Sequence, residues 1–368
     1  MAIINVAYDH AIFSRQAVGG VSRYLVKLAS LSRQFGVNPI IIAPLHSNLM
    51  LKDADRGLVK GLYLDWADFY KYKGAFLYLN QFATDILSIK EKPAIIHETY
   101  YSLFPSIKKR VPRVLTIHDF VHEKYPHLFN SSDNTIELKK AAIKRADHLI
   151  CISQNTKEDL LEFYRIPENK VSVVYHGVEK DSFISLPPHP LEARYFLYVG
   201  SRASYKNFDL VLQAFSNYGQ DLEDCQLLVF GGGAFSRVEK RRIYELNLED
   251  RVRIESGPDS LLAHRYQNAI ALIYPSLYEG FGFPPLEAMQ YQCPAIVSNA
   301  SCLPEISGHA ALLFDPFSQA ALADAMIKVK TDRVLSNQLR ELGSERVNGY
   351  SWSNTALETT RIYHQLVG

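Results

Sequence analysis

The chain has 368 residues, 47% hydrophobic and 21% charged, with 40 basic against 39 acidic side chains and a formal net charge of +1. That length suits two domains of ordinary size, each able to bury a core. The 22 Tyr and 19 Phe exclude a disordered chain, and the near-neutral charge argues against broad capture of nucleic acid.

Taken in chain order, the N-terminus MAIINVAYDHAIF has neither a basic leader nor an unbroken apolar stretch, so no signal peptide is expected. Short Val/Ile-rich runs predict strands at Ile3–Tyr8, Pro39–Ala43, Ala94–His97, Arg113–Ile117, His148–Ile152 and Val171–Val174. Runs apolar throughout belong to parallel sheets covered on both faces. After the first strand, Gly19-Gly20 opens a helix, where bare backbone N–H groups suit an anion, or mark a plain tight turn. Strand two ends in IIIAP without an acidic residue and no G-x-G-x-x-G is present, which weakens an NAD-linked dehydrogenase. His118-Asp119 follows the fourth strand with His122 one turn on; Asp9-His10 is a weaker echo. A strand-end His118 that hydrogen-bonds substrate is preferred to a metal set, and a satisfied core histidine stays open. Segment 66–82 mixes aromatics with lysines, and Lys108-Lys109-Arg110 with Arg113 adds a basic cluster. Together they suit a membrane surface or a lipid-linked acceptor, or else a core helix beside a solvated loop. Ser153 is expected to cap a helix at Gln154–Tyr164.

Glu179–Arg194 has no periodicity and carries Pro187, Pro188 and Pro190, which reads as a linker. A second strand series follows at Tyr195–Val199, Gln226–Phe230, Val252–Ile254, Ala269–Ile273, Ala295–Val297 and Ala311–Phe314. The alternation with helices predicts an α/β protein of two Rossmann-like, doubly wound halves. Arg202 and Lys206 lie in the loop Gly200–Asn207, before a helix that Asn207 is expected to cap; two cations at a helix start favour an anion. Gly231-Gly232-Gly233 permits close ligand approach. The densest segment is Tyr274–Met289, where Gly280 and Gly282 allow a tight loop and Pro284-Pro285 pre-set a helix. Glu279 in the loop and Glu287, expected in the first helical turn, suit the hydroxyls of a sugar or ribose. A paired-carboxylate hydrolase is conceivable but has no use for the Arg202/Lys206 anion site. The four dispersed cysteines, Cys151, Cys225, Cys293 and Cys302, read as buried reduced thiols of a cytoplasmic protein. Helices are expected at Asp332–Val347 and Ser353–Val367.

Gly200–Asn207 (G-x-R-x3-K-N), Glu279–Glu287 (E-G-F-G-F-P-P-L-E), His118-Asp119, Ser298…Pro304-Glu305, the Gly19-Gly20-Val21 loop, Ile152–Thr156 and Tyr350–Trp352 together resemble the retaining GT-B glycosyltransferases of family 4. The resemblance runs almost end to end. It implies two Rossmann-like domains facing a cleft, residues 1–180 with 352–368 on the acceptor side and 181–351 on the donor side. The last helix would cross back to the first domain. It further implies transfer of a hexose from a nucleoside-diphosphate sugar to a glycan or lipid-linked glycan, in polysaccharide biosynthesis. Arg202 and Lys206 would hold the diphosphate, Glu287 the ribose, Glu279 the sugar hydroxyls, and His118 would sit beside the transferred sugar. Gly280, Phe281, Gly282 and Phe283 would line the donor, Gly231 and Gly232 with 256–262 would lie near the base, and Gly19 and Gly20 would complete the site. No metal or other cofactor, nucleic-acid partner or nucleophilic carboxylate is implied, and attachment to the inner membrane stays peripheral. UDP-glucose is taken ahead of GDP-mannose as donor. The family's usual N-G-V is His176-Gly177-Val178 here, with no consequence expected. The remaining alternative is a non-catalytic nucleotide-sugar-binding scaffold, which the intact Arg202, Lys206, Glu279 and Glu287 argue against.

Overall fold

The computed structural model describes residues 3–55, 57–179 and 194–368. The expected linker Glu179–Arg194 therefore lies outside the described residues apart from its two end positions. The chain divides into two compact units, Met1–Gly177 with Ser351–Gly368, and Val178–Tyr350.

The first unit holds strands β1 (Ile4–Tyr8), β2 (Val37–His46), β3 (Val59–Tyr63), β4 (Ile95–Glu98), β5 (Arg113–Ile117), β6 (His148–Cys151) and β7 (Val171–Val173). They form one parallel sheet in the order β3-β2-β1-β4-β5-β6-β7. The edge strand β3 is absent from the sequence expectations. Its residues VKGLY are mostly exposed and form no continuous apolar run. Its register against β2 shifts between Ile42 and Leu45, around Pro44, which has no N–H to give a ladder. The helix Gly20–Ser32 packs on the last helix, Trp352–Val367, whose N-cap is Ser351. The last helix thus returns to the first unit.

Beneath β1, β4 and β5 a buried polar chain fixes that helix in place. Tyr8 and Tyr363 hydroxyls lie 3.0 Å apart, Tyr363 meets His97 Nδ1 at 2.6 Å, and His97 Nε2 meets Thr116 Oγ1 at 2.9 Å. Thr116 in turn meets the Tyr24 hydroxyl at 3.0 Å. Groups buried this deeply are costly unless paired, and here each has a neighbour.

The second unit holds β8 (Arg194–Val199), β9 (Cys225–Phe230), β10 (Val252–Glu255), β11 (Leu272–Tyr274), β12 (Ala295–Ser298) and β13 (Ala311–Phe314). Its parallel sheet runs β10-β9-β8-β11-β12-β13. Phe196, Leu227 and Ile273 from the strands meet Val211, Phe215 and Met326 from helices in one core. Both sheets are doubly wound, and the strand order reverses between β1 and β4 and between β8 and β11. Ligands of such sheets bind outside the strand carboxyl ends at that reversal.

Replacing Tyr363 by Phe removes the hydroxyl between Tyr8 and His97 and strands a buried ring nitrogen. The expected loss is about 1–3 kcal/mol, read as a lower thermal midpoint, with the helical circular dichroism unchanged at low temperature.

Candidate functional site

In the second unit the loops that leave β8, β9, β11 and β12 carry the predicted residues. Lys206 ends a short 3-10 turn, Ser204–Lys206, and its Nζ lies 2.5 Å from Glu279 Oε1. The same Oε1 accepts from the Tyr274 hydroxyl at 2.7 Å. Burial and the Glu279 charge push the Tyr274 hydroxyl well above its usual pKa, so it remains a donor. The backbone of Glu279 is held as well: its N–H donates to Ser301 Oγ, its carbonyl accepts from Ser301 Oγ at 2.6 Å, and the Cys302 thiol donates to the carbonyls of Glu279 and Phe281 at 3.1 Å each. The loops from β8 and β11 are joined by Leu277 N–H donating to the Tyr205 carbonyl at 2.7 Å.

Arg202, the other cation of the loop after β8, is held by a different set of partners. Its Nε sits 2.5 Å from Glu239 Oε1, and its terminal nitrogens donate to the carbonyls of Gly231, Gly233 and Ala234 at 3.1 Å each. The guanidinium also lies 5.0 Å from the Phe235 ring centre. Gly231, Gly232 and Gly233 all have left-handed φ, 82°, 72° and 73°. That conformation suits glycine, and a Cβ on Gly232 would fall 2.6 Å from the Gly200 carbonyl oxygen. The triglycine is therefore a carbonyl cradle for Arg202. Lys206 and Arg202 each have a carboxylate partner of their own, Glu279 and Glu239.

Two local expectations are corrected. Asn207 occupies the N-cap position of the helix Phe208–Asn217 in a left-handed conformation, φ 57°, and does not cap it. Its side chain instead donates to the Pro316 carbonyl at 2.7 Å. Glu287 is not in the first turn of its helix, which begins at Phe283 after Gly282 (φ 98°) and has no acidic residue in that turn. It accepts from the buried Tyr266 hydroxyl at 3.1 Å, so the two carboxylates have separate partners. Phe281 packs edge-on against Phe283 and Tyr350, beside buried Gly280.

In the first unit, His118 follows β5 and is buried. Its N–H donates to the Tyr101 hydroxyl, its ring meets Tyr24 edge-on, and it stacks with His176 at 6.3 Å between centres. Burial lowers its pKa to about 4 and that of His97 to about 3, so both imidazoles are neutral at pH 7. Buried Lys139 holds the adjacent turn by donating to the Asp119 carbonyl at 2.8 Å and pairing with Glu123 at 2.7 Å. His122 turns to Asp133 at 3.6 Å and stacks on Phe129. Among the described residues, no group of three His, Cys, Asp or Glu is arranged to hold a metal. Gly19 is the extended N-cap of the helix Gly20–Ser32, with no side chain to cap it, and Gly20 faces open space.

Residues 179–346 match the family described as glycosyl transferases group 1, and residues 18–182 match glycosyltransferase family 4. The chain belongs to the GT-B glycosyltransferases of family 4. It is similar to the O-antigen chain mannosyltransferase RfbU of Salmonella typhimurium, 28% identical over 219 residues, 59% of this chain and 61% of that protein. The match therefore spans less than two thirds of that relative. It is also similar to O-antigen chain mannosyltransferase B of Escherichia coli, 25% identical over 69% of this chain and 70% of that one. Among solved structures, sucrose-phosphate synthase from Thermosynechococcus elongatus has the same fold, with a TM-score of 0.75 at 22% identity over 100% of this chain and 99% of that one.

For a family 4 glycosyltransferase, sequence reasoning missed Glu239, Tyr274, Ser301, Cys302 and His176 as neighbours of the predicted residues. Only Glu239 left a local signal, the S-x-x-E of a capping box: Ser236 N–H donates to Glu239 Oε2 at 2.6 Å while Ser236 Oγ caps Glu239 N–H. Glu239 thus holds Arg202 and its own helix together.

Glu239→Ala removes both bonds, and the expected loss is about 1–2 kcal/mol in urea unfolding; Glu239→Gln keeps a cap and is expected to recover part of it. Acid tests the first unit. Its neutral histidines gain protons only on unfolding, since their ordinary pKa is 6.5 and their folded values lie near 3 and 4. Stability is therefore complete above about pH 6.5 and falls as the pH drops towards 4. A thermal-midpoint profile measures this, and His97→Gln is expected to flatten it.

Proposed function

We propose that the protein transfers a hexose, with retention, from a nucleoside-diphosphate sugar to a hydroxyl of a glycan or lipid-linked glycan in polysaccharide assembly, without a metal. The single observation that carries this reading is the Lys206–Glu279–Tyr274 cluster, set at the reversal point of the β8–β13 sheet. A lysine and a carboxylate side by side match a donor that presents an anionic diphosphate next to a hydroxyl-rich ring.

In this reading the bond between the sugar's anomeric carbon and the β-phosphate oxygen breaks as the acceptor hydroxyl attacks from the same face. A new carbon–oxygen bond forms to the acceptor, and its proton passes to the departing phosphate oxygen. Negative charge grows on the diphosphate, and we assign its stabilisation to Lys206, released from Glu279, and to Arg202. Glu279 then accepts from the hexose hydroxyls and Glu287 from the ribose, with Gly280, Phe281, Gly282 and Phe283 along the donor and Gly231 and Gly232 near the base. His118, neutral at pH 7, is assigned a hydrogen bond to the sugar. Gly19 and Gly20 keep the assigned role of presenting backbone N–H groups. The names of the two mannosyltransferase relatives move the preferred donor from UDP-glucose to GDP-mannose. The setting we infer is cytoplasmic, where the four buried thiols stay reduced.

Lys206→Ala and Glu279→Ala are each expected to lower transfer about a hundredfold or more without changing the circular dichroism, and EDTA is expected to leave activity intact. Wild-type turnover in both variants would overturn the assignment. A melting-temperature panel with GDP, UDP, ADP and their sugars tests the donor: the largest rise is expected with GDP, and no rise with any of them favours a non-catalytic scaffold.

A further inference from the structure

We propose that the helix Lys73–Glu91, with the short helix Trp66–Lys71 before it and the loop 103–110 beside it, is a docking face for an anionic lipid surface. The helix is inverted in polarity. A helix on a globular domain ordinarily turns its apolar stripe inward, but the residues buried on this one are Asn80, Thr84 and Ser88, spaced four apart. Asn80 exchanges hydrogen bonds with the backbone of Leu45 in β2, at 2.9 and 2.8 Å, and donates to Ser14 Oγ at 3.0 Å. Thr84 meets His10 Nδ1 at 3.0 Å, and Ser88 donates to the Asp85 carbonyl. The hydrogen bonds of Asn80 and Thr84 hold the helix down, and its apolar side chains are left outside. Tyr78, Ile86 and Ile89 are 67%, 66% and 72% exposed, and Leu79 and Phe82 share their side of the helix.

The neighbouring loop extends the same face. Gln81 donates to the Pro105 carbonyl at 2.7 Å and Asp85 accepts the Lys108 N–H at 2.7 Å, which sets the exposed Leu103 and Phe104 alongside the helix. Contiguous apolar surface of this kind marks an interaction site.

Charge decides the occupant. Between Lys60 and Arg110 the sequence has eight basic and five acidic side chains. Of the acids, Glu98 is buried between Arg113 and Arg145, Asp85 takes the Lys108 N–H, and Glu91 lies 3.8 Å from Lys60. The lysines stand over the exposed rings: Lys108 is 5.9 Å from the Phe82 centre, Lys71 5.3 Å from Tyr72 and Lys73 5.7 Å from Tyr70. Apolar side chains with Tyr, Trp and Lys at their margin match the depth profile of a bilayer surface, and the cationic excess matches anionic headgroups. Among the described residues no helix is long and apolar enough to cross a membrane, so the contact is with the surface. This inference stands independently of the transferase reading.

The test is co-sedimentation of the full chain, without substrates, with vesicles of phosphatidylcholine alone or mixed with phosphatidylglycerol. Binding is expected with the mixed vesicles, weaker with phosphatidylcholine alone and reduced by salt. Ile86→Glu with Ile89→Glu is expected to weaken it about tenfold or more at an unchanged melting temperature, and Lys108→Ala about fivefold. Absence of binding to both vesicles overturns the proposal, as does equal binding by the double variant. A vesicle-free dimer that the double variant turns into a monomer assigns the face to a second copy of the chain instead.

Discussion

Glu279 Oε1 accepts from Lys206 and Tyr274 at once, while Ser301 grips the backbone of the same residue. One carboxylate therefore ties together the loops that leave β8, β11 and β12. Parallel strands all end at one edge of the sheet, and these three are neighbours there, so their loops meet within side-chain reach. Without a counter-ion, a half-buried lysine and a half-buried carboxylate would each hold open a costly hydration shell. The pair supplies that counter-ion internally and holds both groups in place at the strand ends, where the donor is proposed to bind.

Arg202 follows the same logic with a different partner. Its charge is met by Glu239 and by carbonyls of a loop whose left-handed φ values favour glycine. The loop after β9 is thereby fastened to the loop after β8, across a strand pair already in register. Charge in this unit is arranged as local pairs, which is why a net charge of +1 over the chain says nothing about the field at the strand ends.

The strands were legible because residues buried on both faces must be apolar without alternation, as in β1 and β12. β3 was not, because an edge strand with one open side can be written V-K-G-L-Y. Caps that depend on one side chain and one backbone group, such as Ser153 on Thr156, were readable from the sequence. Asn207 was not, since a preceding 3-10 turn and a left-handed φ point its amide at Pro316. The pairing of Arg202 with Glu239 spans 37 residues and needed the sheet order before it could be found. Periodicity also cannot say which face of an amphipathic helix is inside, and at Lys73–Glu91 the usual assumption inverts the answer.

The buried chain through Tyr8, Tyr363, His97, Thr116 and Tyr24 joins residues from the two ends of the sequence. The second unit is continuous, from Val178 to Tyr350, whereas the first is made of two pieces. As the polypeptide leaves the ribosome, the second unit has all its residues available before Tyr363 exists. The first unit, though begun earlier, cannot close its interior until that tyrosine emerges. The order of synthesis and the order of completion are therefore opposite for these two units, and the earlier-made segment is the one that waits for its last helix.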